Sequence, residues 1–178
     1  MKRFHPYEKI IILIPVLLFI ASCSKPDLVN PGAVVLEEEK RFVSYSDGTV
    51  LDTRHRLMWP SVDFRRYMSW QEAEGFCESY TGGGYSNWRL PSLKELQTLY
   101  EPGNINPAGY HMTRLIKISG YVWASDISVL MKNRPDKQAV FENTQHAGYI
   151  DFKTGKTAFI FGNQKISGFR ILPVRSAK

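Results

Sequence analysis

Two copies of one four-residue pattern, Ser-x-x-Glu, stand at Ser69-Trp70-Gln71-Glu72 and Ser92-Leu93-Lys94-Glu95, and they limit the fold more than any other feature of the chain. In such a capping box the Ser hydroxyl accepts from the amide three residues on, while the Glu carboxylate reaches back to the Ser amide. Two orphan donors at a helix start are satisfied at once. Trp70, Ala73, Cys77 and Tyr80 follow the first box at spacings of three, four and three, one face of a 3.6-residue helix. That helix should stop before Gly82-Gly83-Gly84. Pro91 precedes the second box, after which Leu93, Leu96, Leu99 and Tyr100 form an inward face. Asn87-Trp88-Arg89-Leu90, between the helices, reads as a short extended segment that buries Trp88 and Leu90 while Arg89 points away. Trp70 and Trp88 are expected in the core.

Around the helices the pattern is one of short strands and turns. Arg41 to Tyr45 and Thr49 to Asp52 flank Ser46-Asp47-Gly48, a hairpin turn, and Leu57-Met58-Trp59 is a third strand stopped by Pro60. After a loop-rich stretch from Glu101 to Pro107, strands are expected at Tyr121 to Ser125, Gln138 to Phe141, Gly148 to Phe152, Lys156 to Phe161 and Gly168 to Val174. Lys153-Thr154-Gly155 is a natural turn between two of them. Helices held together early, with strands at both ends, give an α+β fold of two helices packed on short antiparallel strands. The length leaves room for one domain, residues 41–178. Four Trp, nine Tyr and ten Phe supply a core that needs neither a disulfide nor a metal.

The N-terminus reads as an address. Lys2, Arg3 and Lys9 precede an apolar run from Ile10 to Ile20, too short to span a bilayer comfortably, and Ala21-Ser22-Cys23 follows at once. The order Ile20-Ala21-Ser22-Cys23 resembles the bacterial lipobox. That resemblance implies a lipoprotein signal peptide over 1–22, a lipid on Cys23, and no Asp after it to retain the product at an inner membrane, since Ser24 follows. The expected location is the outer membrane, with the domain facing periplasm or exterior. Several acyl chains, at about 0.8 kcal/mol per buried methylene, make such an anchor effectively permanent. Residues 23–40, with Pro26, Pro31, Gly32 and Glu37-Glu38-Glu39, read as a flexible or partly extended tether.

The net charge of +6 is uneven: residues 41–178 hold 18 basic and 12 acidic side chains, whereas 24–40 are acidic. A basic domain on an acidic tether suits polyanions but names no partner. Nucleic acid is not expected as one. Arg65, Arg66 and Tyr67, with Lys132, Arg134 and Lys137, lie in expected loops and are the candidate ligand-binding residues. No Cys-x-x-Cys or His-Glu-x-x-His pattern suggests a metal, and no cofactor is expected. Gly155-Lys156-Thr157 lacks the earlier glycine of a phosphate loop, and no Gly-x-Ser-x-Gly elbow occurs.

Several of these features form a series: Asp47-Gly48-Thr49-Val50, Leu57-Met58-Trp59, Trp70-Gln71-Glu72-Ala73 with Cys77, the run from Gly82 to Leu96 containing Asn87-Trp88-Arg89-Leu90-Pro91-Ser92, Tyr121-Val122-Trp123-Ala124-Ser125, and Arg170 to Arg175. The series resembles the Lcl C-terminal domain family, built around the C-terminal domain of a bacterial collagen-like adhesin, over about Phe42 to Arg175. The resemblance implies a C-type-lectin-like fold. It also brings in the formylglycine-generating proteins, whose Arg-Leu-Pro-Thr-Glu motif is similar to Arg89-Leu90-Pro91-Ser92 with Glu95. Many relatives carry a second Cys near the closing Arg-x-Val-Arg; here Cys77 has no such mate, which argues against that enzyme chemistry and for a small buried hydrophobe. Glu101-Pro102-Gly103-Asn104 is similar to a calcium-lectin loop but is interrupted by Gly103 and lies after the Trp segment, so it reads as a turn.

The expected function is a non-catalytic envelope lipoprotein with a binding module for glycans or other anionic envelope polymers. The alternatives are a structural or protein-interaction lipoprotein without a sugar ligand, and a formylglycine-generating type of enzyme.

Overall fold

Both Ser-x-x-Glu boxes open helices. In the computed structural model, which describes residues 29–129 and 145–177, α1 spans Trp70–Ser79 behind Ser69 and α2 spans Leu93–Leu99 behind Ser92, and both boxes are closed in both directions. The Asp126 carboxylate adds an acceptor for the Leu93 amide at 2.6 Å, where the positive end of α2 favours an anion. Neither helix reaches its tyrosine. Tyr80 and Tyr100 are extended C-caps, and both are half-buried.

The first sheet contains β1 (Val35–Glu39), β2 (Phe42–Tyr45), β3 (Thr49–Asp52), β4 (Leu57–Pro60) and, at its far edge, β9 (Arg175–Ser176), all antiparallel. The expected hairpin about Ser46-Asp47-Gly48 and the third strand are present. The tether reading of 23–40 is corrected in its second part, because Val35–Glu39 is an edge strand. An edge strand needs partners on one side only and tolerates charge. The Glu39 carboxylate accepts from Thr113, Arg114 and Asn104, and Glu37 pairs with Arg114, so the acidic run is held by the 104–114 loop.

The second sheet runs β7-β6-β5-β8, with β5 at Tyr121–Val129, β6 at Gln145–Asp151, β7 at Lys156–Phe161 and β8 at Phe169–Arg170. β5 outruns its expected end at Ser125, and β6 begins three residues before Gly148. The expected strand from Gly168 to Val174 is divided. β8 pairs parallel to β5, a correction to the all-antiparallel expectation, while Ile171 bridges to Phe64 and Val174 to Arg89, and β9 joins the other sheet. Pro173 carries no amide hydrogen and sits where the chain passes from one sheet to the other. The expected strand Gln138 to Phe141 lies outside the described residues.

Strand β5 is buried on both faces over Val122-Trp123-Ala124, which explains that unbroken apolar run, whereas β7 at the sheet edge is largely exposed. Val122, Ala124 and Ile150 pack with Leu96 and Leu99 of α2 and with Phe42, Val50 and Trp59 of the first sheet. Trp123 and Ala147 pack on the opposite side with Trp70, Ala73 and Cys77 of α1 and with Leu90. Trp70 and Trp88 are core residues as expected. Gly155 closes the expected turn between β6 and β7 at φ 71°, and a β-carbon there would meet the Tyr100 ring at 2.5 Å.

Candidate functional site

The Arg-Leu-Pro-Ser segment is occupied with its own structure. Arg89 donates from both terminal nitrogens to Glu95, at 2.8 and 2.5 Å, while the same carboxylate accepts from the Ser92 amide at 2.8 Å. The Arg89 amide and carbonyl pair with Val174. Burial pushes the Glu95 carboxyl up, but Arg89 and Ser92 together outweigh it and hold the group below its ordinary value. A depressed carboxyl stabilises the fold above its unfolded pKa, and that contribution is lost as pH falls through the folded value. The stability gap between the wild type and Glu95→Gln should therefore be widest near neutrality and close below about pH 4. Urea titrations across that range measure it, and a gap independent of pH would remove Glu95 from the acid response.

Cys77 is fully buried on α1, and burial pushes its thiol up to about 12, so it holds its proton and packs as an apolar side chain. The Glu101 loop is likewise engaged. Its carboxylate pairs with Lys40 at 3.0 Å and Arg41 at 2.7 Å and accepts from Asn104 at 3.1 Å, which ties the loop to the first sheet. Among the described residues no three His, Cys, Asp or Glu side chains gather closely enough to hold a metal ion.

A cleft of about 510 Å³ opens between the segment after β4 and the one before β5, lined by Val62, Asp63, Phe64, Arg65, Arg66, Lys117 and Ile118. Its wall is built from backbone pairing outside the main strands. The Asp63 amide donates to Lys117, the Lys117 amide to Ser61, and Phe64 and Ile171 exchange both hydrogen bonds, all at 2.8–3.2 Å. Residues 61–64 are thus pinned between two segments distant in sequence, and this fixes where Arg65 and Arg66 emerge.

The electrostatics of the cleft are lopsided. The Asp63 carboxylate turns inward, accepting from the Ser119 amide at 2.6 Å and hydroxyl at 2.8 Å, with the Arg170 guanidinium 3.8 Å away. Arg170 is held in turn by the Ser119 hydroxyl and the Phe169 carbonyl. The one acid in the lining is therefore matched. Among the described residues Arg65, Arg66 and Lys117 have no carboxylate partner. The Arg66 guanidinium lies 4.9 Å over the Phe76 ring, which packs edge-on to Phe64, so an aromatic base positions one cation.

Of the six residues singled out in the sequence, Arg65 and Arg66 line this cleft, and Tyr67 follows them, exposed, on the approach to α1. Lys132, Arg134 and Lys137 lie outside the described residues, as does Cys23. Lys117 was missed. It interrupts the apolar run Leu115-Ile116-Ile118, and a lone lysine in such a run is the mark of an extended segment that turns one side chain to solvent.

Comparison with known proteins adds one finding. No curated protein and no solved structure matches the chain. Residues 48–175, well over half of its length, match the family model of the Lcl C-terminal domain. The match begins at Gly48 and takes in both capped helices, the cleft and the closing arginines, and the chain belongs to the Lcl C-terminal domain family.

Proposed function

We propose that this chain is a non-catalytic, adhesin-like lipoprotein of the bacterial envelope. Its single C-type-lectin-like domain engages acidic or sulfated envelope glycans through the cleft of Arg65, Arg66 and Lys117. The observation that carries the reading is the set of three cations, drawn from two separate segments, without a carboxylate partner among the described residues. Guanidinium groups pair bidentately with sulfate and carboxylate, and the exposed Tyr67 ring beside them offers a face on which a sugar can stack. Membership in the Lcl C-terminal domain family supports a binding rather than a catalytic role. So does the inert Cys77 thiol, since the formylglycine-generating reading needs a reactive cysteine.

The test is elution of the lipid-free chain from immobilised heparin in a salt gradient. Each charge-assisted contact contributes about 1.5–3 kcal/mol, so Arg65→Ala or Arg66→Ala should weaken binding about tenfold or more. Arg→Lys at these positions should weaken it despite the retained charge. Salt at about 0.1 M screens beyond roughly 10 Å, so affinity should fall steeply with ionic strength, and chelators should leave it unchanged. If a chain with Arg65, Arg66 and Lys117 all changed to Glu eluted with the wild type, the cleft would not be the binding site.

A protein-interaction role is the second reading, favoured by one observation. β7 is an open sheet edge, and Phe159 and Phe161 stand half-exposed along it. In either reading the lipid on Cys23 holds the chain at the outer membrane. A Cys23→Ala chain should persist as the unprocessed precursor and lack diacylglyceryl by intact mass.

A further inference from the structure

Asn30 marks where the chain joins the folded domain: its amide donates to the Tyr85 hydroxyl, and its side chain to the Gly83 carbonyl at 3.2 Å. Seven peptide steps separate it from Cys23. An extended chain covers no more than about 3.6 Å per residue, or roughly 25 Å over this stretch. A single domain of this size has a radius of gyration of roughly 14 Å and is therefore wider than that reach. A lipid on Cys23 thus keeps the Asn30 corner within one domain width of the bilayer, where even a weak surface contact is intramolecular in effect.

That corner is apolar. Val34, Val35 and Leu36, four to six residues beyond Asn30, stand 64, 48 and 67% exposed, the one run of consecutive exposed aliphatic side chains among the described residues. They lie at the start of β1, whose outer edge is open, and Tyr45 pairs opposite Val35. Tyrosine beside aliphatic side chains suits the boundary between acyl chains and headgroups. Of the adjoining acids Glu37 pairs with Arg114, while Glu39 accepts from the Thr113 hydroxyl, the Arg114 amide and Asn104, so among the described residues no ion pair neutralises Glu38 or Glu39. The surface is therefore suited to zwitterionic rather than anionic lipid.

We propose that Val34, Val35 and Leu36 dock into the interfacial region of the bilayer that carries the Cys23 lipid, so that the domain lies on the membrane by a protein contact as well as by its acyl chains. This rests on the anchoring reading above. The orientation of the whole domain follows, with the β1 edge down. The experiment uses the mature chain with its lipid verified by intact mass, placed in phosphatidylcholine vesicles brominated on the acyl chains. The four native tryptophans are all buried, so an indole introduced by Leu36→Trp or, in a second chain, Val34→Trp dominates the emission that bromine can reach. Quenching at position 36 or 34 should exceed that of Val62→Trp, in the cleft wall, by at least about twofold. Equal quenching at all three positions, with the lipid present, would overturn the proposal and leave the anchor standing. A mature chain without the acyl mass would overturn the anchor and the proposal together. A lipid-free Leu36→Trp chain whose emission shifts to the blue as protein concentration rises would reassign the surface to a second copy of the chain.

Discussion

Replacing Trp88 with Ala should lower the stability of the domain by about 3–5 kcal/mol, the range for large-to-small changes of a buried aromatic residue. The indole is 2% exposed, packs edge-on to Tyr80 and Tyr85, and donates from Nε1 to the Gly82 carbonyl at 3.2 Å. It lies between the two helices in the chain, so its loss also loosens the turn through Gly82 to Gly84 that connects them. Trp88→Phe keeps most of the apolar contact and removes the hydrogen bond, which should cost about 1 kcal/mol for the bond in addition to the small volume change. Urea unfolding followed by circular dichroism measures both. A near-neutral Trp88→Ala would contradict the packing described here and return the indole to consideration as a ligand-stacking surface.

Asp52→Ala should be nearly as damaging, at about 3 kcal/mol, because it removes the acceptor from a buried charged network. The Asp52 carboxylate is fully buried and accepts from the Arg54 and His55 amides at 3.1 and 3.2 Å. It also meets Arg41 at 3.1 Å and the His55 ring at 2.8 Å. Without it the Arg54 and His55 amides lose their acceptor in the turn after β3, and Arg41 keeps only Glu101 and the Thr98 carbonyl. Asp52→Asn retains an oxygen for the amides but sets an NH2 group against Arg41, so its loss should be smaller than that of Asp52→Ala and still measurable. If Asp52→Ala unfolded at the wild-type urea midpoint, the network would contribute nothing to stability.

Local signals were legible wherever the controlling interactions lie within a few residues. Ser69 with Glu72 and Ser92 with Glu95 announce both helices because each box is completed within four positions. The Asp47-Gly48 and Thr154-Gly155 turns follow from residues that adopt positive φ, or whose side chains accept from a backbone amide two residues on. The burial of Trp70, Trp88 and Cys77 was readable from their place in or beside an apolar stripe. The sequence shows Arg89 only as pointing away from the buried face, and the structure adds that it pairs with Glu95 six residues on.

What the sequence could not display depends on contacts between distant segments. The strand expected from Gly168 to Val174 divides between two sheets because its partners, β5, Phe64, Arg89 and β4, lie far apart in the chain. Glu37-Glu38-Glu39 looked like a solvated tether and became an edge strand only because Arg114, Thr113 and Asn104 meet it from a loop more than sixty residues away. The basic cleft is of the same kind: Arg65 and Arg66 were visible as an exposed pair, but Lys117 joins them only through the pairing of Val62 with Lys117. Capping, turn and periodicity signals act over one or two turns of chain, so the sequence alone determined the two helices, the tight turns and the family. Which strands pair, and which cations share a face, is set by burial and hydrogen bonding between segments whose separation in sequence carries no local mark, and the tertiary structure alone decided it.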